Sequence, residues 1–229
     1  MINKSPTGFQ DSELLAWEPE AGIDGLYSKT LTRCAETGSY TRLLKFVPGT
    51  NTTSAGVQAH DHLEELLVIE GAILDLTLEQ NFTAGMYANR LAGMDHGPWV
   101  APAGAVTLEL RDNDPDHRIT KQQFEFFDPG IRDWDGRDDA AGVFVKTLTS
   151  CPNTSSFGRL VNFQPGAGAP GQLEGDAGRS ELWVVEGVLH HKDGTVHPQG
   201  TYGNLDVDLL DGSWTSDIGC TVFEVRNLV

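Results

Sequence analysis

Short runs rich in Val, Leu, Ile, Thr and Phe recur along the chain, each bounded by Gly, Pro or Asn. KTLT (29–32), RLLKF (42–46), ELLVIEGAILDLTL (65–78) and VTLELR (106–111) are of this kind. β-Branched and apolar runs of this length, closed by turn formers, predict strands. Helical periodicity is weak, and DSELLAW (11–17) predicts one or two turns at most. In VVEGVLHHKDGTVH (184–197), Asp193-Gly194 lies between two extended runs. That predicts a two-residue hairpin with His190 opposite His197. Strand after strand at this spacing predicts an all-β sandwich or barrel.

The pattern occurs twice. Shifted by 117 positions, residues 26–49 align with 143–166, and twelve of the 24 positions are identical. Composition alone would give about one match in seventeen. EELLVIEG (64–71) matches SELWVVEG (180–187) at five of eight positions, and 85–111 matches 200–226 at eight of 27. The offset drifts from 117 to 115, two single-residue changes of the kind loops tolerate. Trp17 and Trp134 also sit 117 apart, which extends the repeat upstream of the alignable block. The duplication predicts two domains, 1–127 and 128–229, with the boundary at the acidic stretch DPGIRDWDGRDDAAG (128–142).

Sixteen Lys and Arg against 33 Asp and Glu leave a formal charge of −17 in 229 residues. The basic residues are scattered, so the chain lacks the positive footprint that nucleic acids require. No apolar run approaches the roughly 20 residues of a membrane span. The N-terminus also lacks an apolar signal core, so a cytoplasmic protein is expected. Cys34, Cys151 and Cys220 are odd in number and have no CxxC spacing, and small buried hydrophobes are the expectation for them.

Chemistry concentrates in AHDHLEELLVIEG (59–71). If His60 and His62 lie on a strand, both imidazoles project from one face, about 7 Å apart along the backbone. Two neutral imidazoles on one face open a transition-metal site. Glu64 shares their parity, while Glu65 points the other way and is the fallback carboxylate. His96, in GMDHGPW after a Gly-rich turn, returns a third imidazole from a distant strand. Such a set with open positions fits a catalytic metal centre rather than a closed structural one.

These residues resemble the cupin superfamily. Its first motif is Gly, HxH, three or four residues, Glu, six residues, Gly; this chain has Gly56, His60, His62, Glu64 and Gly71. Its second motif is Gly, five residues, PxGxxH, three residues, Asn; here Gly85 precedes LAGMDH, with Gly93 and His96 in place. EELLVIEG and the segment after His96 look most like the cupin domain of ChrR-type anti-sigma factors and their enzymatic relatives. Three departures stand out. Only Leu63 separates His62 from Glu64, Leu91 replaces the proline, and Val100 replaces the asparagine. The anti-sigma zinc module, HxxxCxxC, is missing from the sequence, which argues against a sigma-factor role.

The resemblance implies two tandem jelly-roll barrels and one divalent metal on His60, His62, Glu64 and His96. Iron(II) is the first expectation, with zinc, manganese and nickel fitting the same donors. It further implies an iron(II) dioxygenase acting on a small diketone or aryl ketone, and a homodimer. A metal-binding sensor, or a metal-dependent isomerase or lyase, fits the same residues. The second repeat has lost the ligands: Ser180 aligns with Glu64, Asp211 with His96, and GQLEGDAGRS replaces the HxH region. There Gln172, Glu174 and Asp176 are read as solvated carboxylates and amide, and His190 with His197 as a cross-strand polar pair. Arg42/Arg159, Tyr87/Tyr202 and Trp99/Trp214 recur in both halves and are therefore read as packing.

Overall fold

The computed structural model describes residues 8–113, 124–127, 130, 133–138, 140–151, 156–169, 180–205 and 212–226. Gln172, Glu174, Asp176 and Asp211 lie outside the described residues. Among those described, the only helical pieces are 3-10 turns at Ser12–Leu14 and Thr53–Ala55. The chain packs as two compact units. One is Leu15–Pro129, and the other is Gly130–Val229 together with Met1–Leu14.

The chain opens with β1 (Gly8–Asp11), which belongs to the second unit. The first unit carries β2 (Glu18–Pro19), β3 (Leu26–Arg33), β4 (Tyr40–Phe46), β5 (Thr50–Asn51) and β6 (Leu63–Asp75). It continues with β7 (Gln80–Thr83), β8 (Tyr87–Arg90), β9 (Trp99–Ala101), β10 (Ala105–Asp112) and β11 (Phe124–Phe127). The second carries β12 (Asp135–Arg137), β13 (Ala140–Ser150), β14 (Phe157–Phe163), β15 (Ala167–Gly168) and β16 (Ser180–His191). Then follow β17 (Val196–Pro198), β18 (Thr201–Leu205), β19 (Trp214–Ser216) and β20 (Cys220–Arg226).

The two units have the same all-antiparallel topology. In the first, the main sheet runs β11-β8-β6-β10-β4-β3-β2, while β7, β9 and β5 form a small sheet on the far half of β6. In the second, β1-β18-β16-β20-β14-β13-β12 repeats that order, with β17, β19 and β15 in the small sheet. Each long strand, β6 and β16, therefore serves two sheets. The strand must turn sharply between them, and Gly71 and Gly187 sit at that turn with φ of 69° and 80°. A Cβ on Gly71 would lie 2.1 Å from the Gly104 carbonyl oxygen, and one on Gly187 2.0 Å from that of Gly219. Left-handed backbone and a bare Cα are both needed at these positions. Next to each turn the ladder slips by one residue, at Val106/Thr107 against β6 and at Val184/Glu186 against β20. Such bulges bend a strand and sharpen its twist.

Apolar residues of alternate parity fill each barrel. In the first they include Leu44, Leu66, Val68, Ile73, Phe82 and Ala101, all buried. Val161, Phe163, Val184, Leu189, Trp214 and Val222 do the same in the second. Each such side chain contributes about 1.5–3 kcal/mol on burial. All three cysteines are free and buried. Burial, and secondarily the Glu186 charge, push the Cys220 thiol up to about 12. The upstream extension of the repeat is visible as well: Lys29 Nζ lies 4.6 Å from the Trp17 ring centroid, and Lys146 Nζ 4.6 Å from that of Trp134.

Two expectations change. The N-terminal segment does not stay with the first barrel. β1 pairs with β18, Gly8 opposite Asn204 through Asp11 opposite Thr201, the place that β11 takes beside β8 in the first barrel. Phe9 drives this docking: its ring stacks on His197 at 3.7 Å, meets Trp214 edge-on at 5.5 Å, and lies where a Cβ on Gly203 would be. The hairpin also differs. His191 N–H bonds the Thr195 carbonyl, so the loop is three residues, closed by Gly194 at φ 91°. The extra residue shifts the register by one, so His190 faces Val196 while His197 faces Leu189 and turns inward.

Gly71→Ala is expected to cost at least about 2 kcal/mol, because strain and a backbone collision coincide; urea unfolding measures it. Phe9→Ala is expected to cost about 2 kcal/mol, less than a fully buried phenylalanine would. Its mark is local: amide hydrogen exchange should accelerate in β18 and stay unchanged in β8.

Candidate metal centre

The interior face of the first barrel is set by strand parity. Along β6, Glu64, Leu66 and Val68 face inward, and the ladder places Arg90 of β8 opposite Glu64 on one side and Arg111 of β10 on the other. Two residues back along β10, Glu109 stands opposite Arg42 of β4. Arg42, Glu64, Glu109 and Arg111 border a cavity of about 320 Å³ with apolar walls that include Leu44, Phe46, Leu66, Ile73 and Trp99.

His60 and His62 do not lie on a strand. Pairing of β6 begins at Leu63, and the residues before it form a bend. The two rings nevertheless lie parallel, 4.6 Å apart with 11° between their planes. His96 comes from the loop before β9, which backbone bonds tie to the His60 loop. Gln58 and His96 exchange two N–H···O bonds of 2.9 Å, and Gly93 N–H donates to the His60 carbonyl at 2.6 Å. Behind this loop, buried Asp75 accepts from the Gly97 N–H at 2.9 Å, and from Thr77 and Leu78 N–H at 2.9 and 3.0 Å. The His96 Nδ1 contacts the Met94 carbonyl at 3.0 Å, which orients the ring and turns its Nε2 toward Glu64.

The donor atoms of His60, Glu64 and His96 all lie within 4.8 Å of one another. Glu64 Oε2 is 3.3 Å from His60 Nε2 and 3.7 Å from His96 Nε2, buried and without a hydrogen-bond partner. Its other oxygen accepts from Arg90 at 2.8 Å. His62 stands beside this group; its Nε2 is also buried without a hydrogen-bond partner, and its Nδ1 is 3.5 Å from Asp61 Oδ1. Burial, then the Arg111 charge and the neighbouring histidines, hold His60 down to about 4. Burial and Arg111 lower His62 as well. Both imidazoles are therefore neutral at neutral pH, the form that binds metals. Glu65 faces away and accepts the Tyr87 hydroxyl at 2.5 Å, so it is Glu64 that faces the histidines.

The sequence reads Arg42 as packing and gives no role to Arg90 or Arg111; all three pair with buried glutamates in the barrel interior. Arg42 Nε bonds Glu109 at 2.6 Å, and Arg111 Nε donates to the other Glu109 oxygen. Burial would raise the Glu109 carboxyl, but these two guanidiniums hold it below its usual range. The second barrel repeats the lattice, with Arg159 on Glu224 at 2.7 Å and Tyr202 on Glu181 at 2.6 Å. The barrels differ at Glu64, whose place Ser180 takes, accepting from Arg226 Nε at 3.1 Å. What sets the first barrel apart is a buried carboxylate between two cross-strand arginines, Arg90 and Arg111, legible only once the register is known.

These barrels have the cupin fold, built twice in one chain. Residues 8–111 match the family described as the ChrR cupin-like domain, which agrees with the motifs around His60 and His96. No curated protein matches the chain. Among solved structures, a dioxygenase candidate from Nostoc punctiforme is similar at TM-score 0.72 and 17% identity, over 95% of this chain and 81% of that one. A glyoxylate-induced protein candidate from Pseudomonas aeruginosa is similar at 0.74 and 14%, over 97% and 90%. Bacillus subtilis oxalate decarboxylase, described with Mn(II) centres, is similar at 0.61 and 10%, over 97% and 77%. At these identities the likeness is one of fold.

Asp75→Ala is expected to cost about 3 kcal/mol or more, since it strands three backbone N–H donors around a buried position. Chemical denaturation measures the loss.

Proposed function

We propose that the first barrel is a metal-dependent catalytic centre, that of a non-haem iron(II) dioxygenase acting on a small diketone or aryl ketone. The observation that carries this reading is Glu64 Oε2, buried and unbonded between two imidazole nitrogens at 3.3 and 3.7 Å. A buried carboxylate oxygen without a hydrogen bond is costly, and the Arg111 NH2 at 3.7 Å lies beyond hydrogen-bond distance, so a bound cation would relieve it. Two nitrogens and one oxygen are a donor set that iron(II), manganese, zinc and nickel all accept. In this reading His60, Glu64 and His96 hold the ion, and His62, with its own unpartnered Nε2, is the fourth ligand.

A bound divalent metal supplies Lewis acidity toward an enolised ketone, and iron(II) adds the electrons that dioxygen chemistry needs. The chain supplies the rest. Arg90 fixes the Glu64 carboxylate, and the Met94 carbonyl fixes the His96 ring, so the ligands keep their aim. Leu44, Ile73 and Trp99 give the substrate an apolar seat and limit water. The dioxygenase candidate from Nostoc punctiforme and the manganese centres named for oxalate decarboxylase are in keeping with metal chemistry in such a barrel. A net charge of −17 speaks against nucleic acid, and among the described residues no helix is long and apolar enough to cross a membrane. The reading takes the protein as a cytoplasmic enzyme of small molecules.

The test is elemental analysis of untagged protein purified without oxygen, followed by oxygen-electrode assays with diketones and aryl ketones. About one iron per chain and ketone-dependent oxygen uptake are expected, with His96→Ala losing the metal and keeping its far-UV circular dichroism. Zinc, nickel or manganese without oxygen uptake would replace this reading with a lyase, isomerase or sensor. Metal unchanged in His96→Ala would refute the ligand assignment.

A further inference from the structure

Resting on the metal centre of that reading, and narrowing its ketone to one that also carries a carboxylate, we propose that the ligand is a small keto acid with its carboxylate held by Arg111 beside the metal. The guanidinium of Arg111 is divided between two duties. Its Nε is committed to Glu109, whereas its NH2 group turns to the cavity, where it hydrogen-bonds His60 Nε2 at 3.3 Å and lies 3.7 Å from Glu64 Oε2. A cationic donor thus borders two of the three atoms that converge on the proposed metal position. A ligand oxygen on the metal falls within reach of that NH2, and only an anion gains from both.

The charge count around the cavity favours the same ligand. Arg42, Arg90 and Arg111 are matched by Glu20, Glu64 and Glu109, through Arg42–Glu20 at 3.0 Å, Arg42–Glu109 at 2.6 Å, Arg90–Glu64 at 2.8 Å and the Arg111–Glu109 pair. The protein groups balance before any metal is counted, so a divalent ion would add two positive charges to the cavity. Uncompensated charge there is costly, and a monocarboxylate ligand offsets half of it, where a neutral ligand offsets none. Volume limits the candidates: about 320 Å³ sits at the small end of ligand pockets. A planar carboxylate needs one metal oxygen and one guanidinium donor, which this site offers.

The second barrel argues that the feature is more than shared packing. Arg226 is the counterpart of Arg111 across the ladder, opposite Ser180 as Arg111 is opposite Glu64. There the Nε turns to Ser180, and the side chain is 5% exposed, against 18% for Arg111. The arginine opens toward a cavity in the barrel that keeps the histidines.

The experiment uses the full chain loaded with cobalt(II), whose visible spectrum reports ligand exchange at the metal without turnover. Acetoacetate and its neutral methyl ester are titrated in parallel. Acetoacetate is expected to shift the spectrum and bind at least tenfold tighter than the ester. Arg111→Gln should erase that preference while retaining one cobalt per chain, and Arg111→Lys should restore part of it. Equal binding of acid and ester by the unaltered protein overturns the proposal without recourse to any variant. So does an acid preference that survives in Arg111→Gln. Absence of stoichiometric cobalt in the unaltered protein overturns the metal reading and this inference together, an outcome distinct from the other two.

Discussion

Each barrel depends on one strand being allowed to belong to two sheets. β6 leaves the main sheet at Gly71, and the backbone of Gly104 lies so close that any side chain would collide with it. The turn is what brings the β9 end of the small sheet, and the loop before it, back over the mouth of the main sheet. His96 rides on that loop, while Glu64 lies seven residues before the turn on the same strand. Without the bend the two would lie far apart along a flat surface. Gly187 and Gly219 repeat the constraint in the second barrel, where Ser180 stands in the place of Glu64. The glycines therefore serve the fold, and the chemistry has been laid over it.

Within that frame the interior polar residues form a lattice by strand alternation alone. Every second residue of β4, β6 and β10 faces inward, so Arg42, Glu109, Arg111 and Glu64 are forced into neighbouring positions. Four ionisable groups in a barrel core are tolerable only as pairs, and removing one partner of such a pair costs about 3–5 kcal/mol. The second barrel keeps Arg159 with Glu224 for that reason. The change from Glu64 to Ser180 takes away the carboxylate that would face a metal and leaves a hydroxyl that satisfies Arg226. On this strand one position, Glu64 against Ser180, separates a carboxylate that faces two imidazoles from a hydroxyl that closes on an arginine.

Much of this was legible before any coordinates. Duplication survives as identity at a nearly fixed offset, so two barrels of one topology followed from counting matches. The inward aim of Glu64 and outward aim of Glu65 followed from parity. What escaped depends on long-range pairing. Nothing local in GFQD announces that β1 will dock on β18; Phe9 needs the bare Cα of Gly203 and the His197 ring to find its place. The His60–His62 pair was expected on a strand, yet β6 starts only at Leu63, and the rings align through a bend instead. The hairpin at 192–194 missed by one residue, because an Asp-Gly pair fits a two-residue loop and Gly194 also suits the left-handed end of a three-residue one.

Arg111 shows why composition and recurrence are poor guides to role. It recurs as Arg226, it pairs with a buried glutamate, and by those marks it is packing. Its position in the register adds to this, because the β-ladder sets it beside Glu64 and leaves one guanidinium nitrogen on the side of His60 and the Glu64 carboxylate. Glu109 holds the Nε side of the group in place, so little side-chain freedom remains to be lost when an anion arrives. The same ion pair that keeps the barrel interior neutral therefore prepares a fixed donor at its mouth. Structural and functional duties are carried by different nitrogens of one side chain.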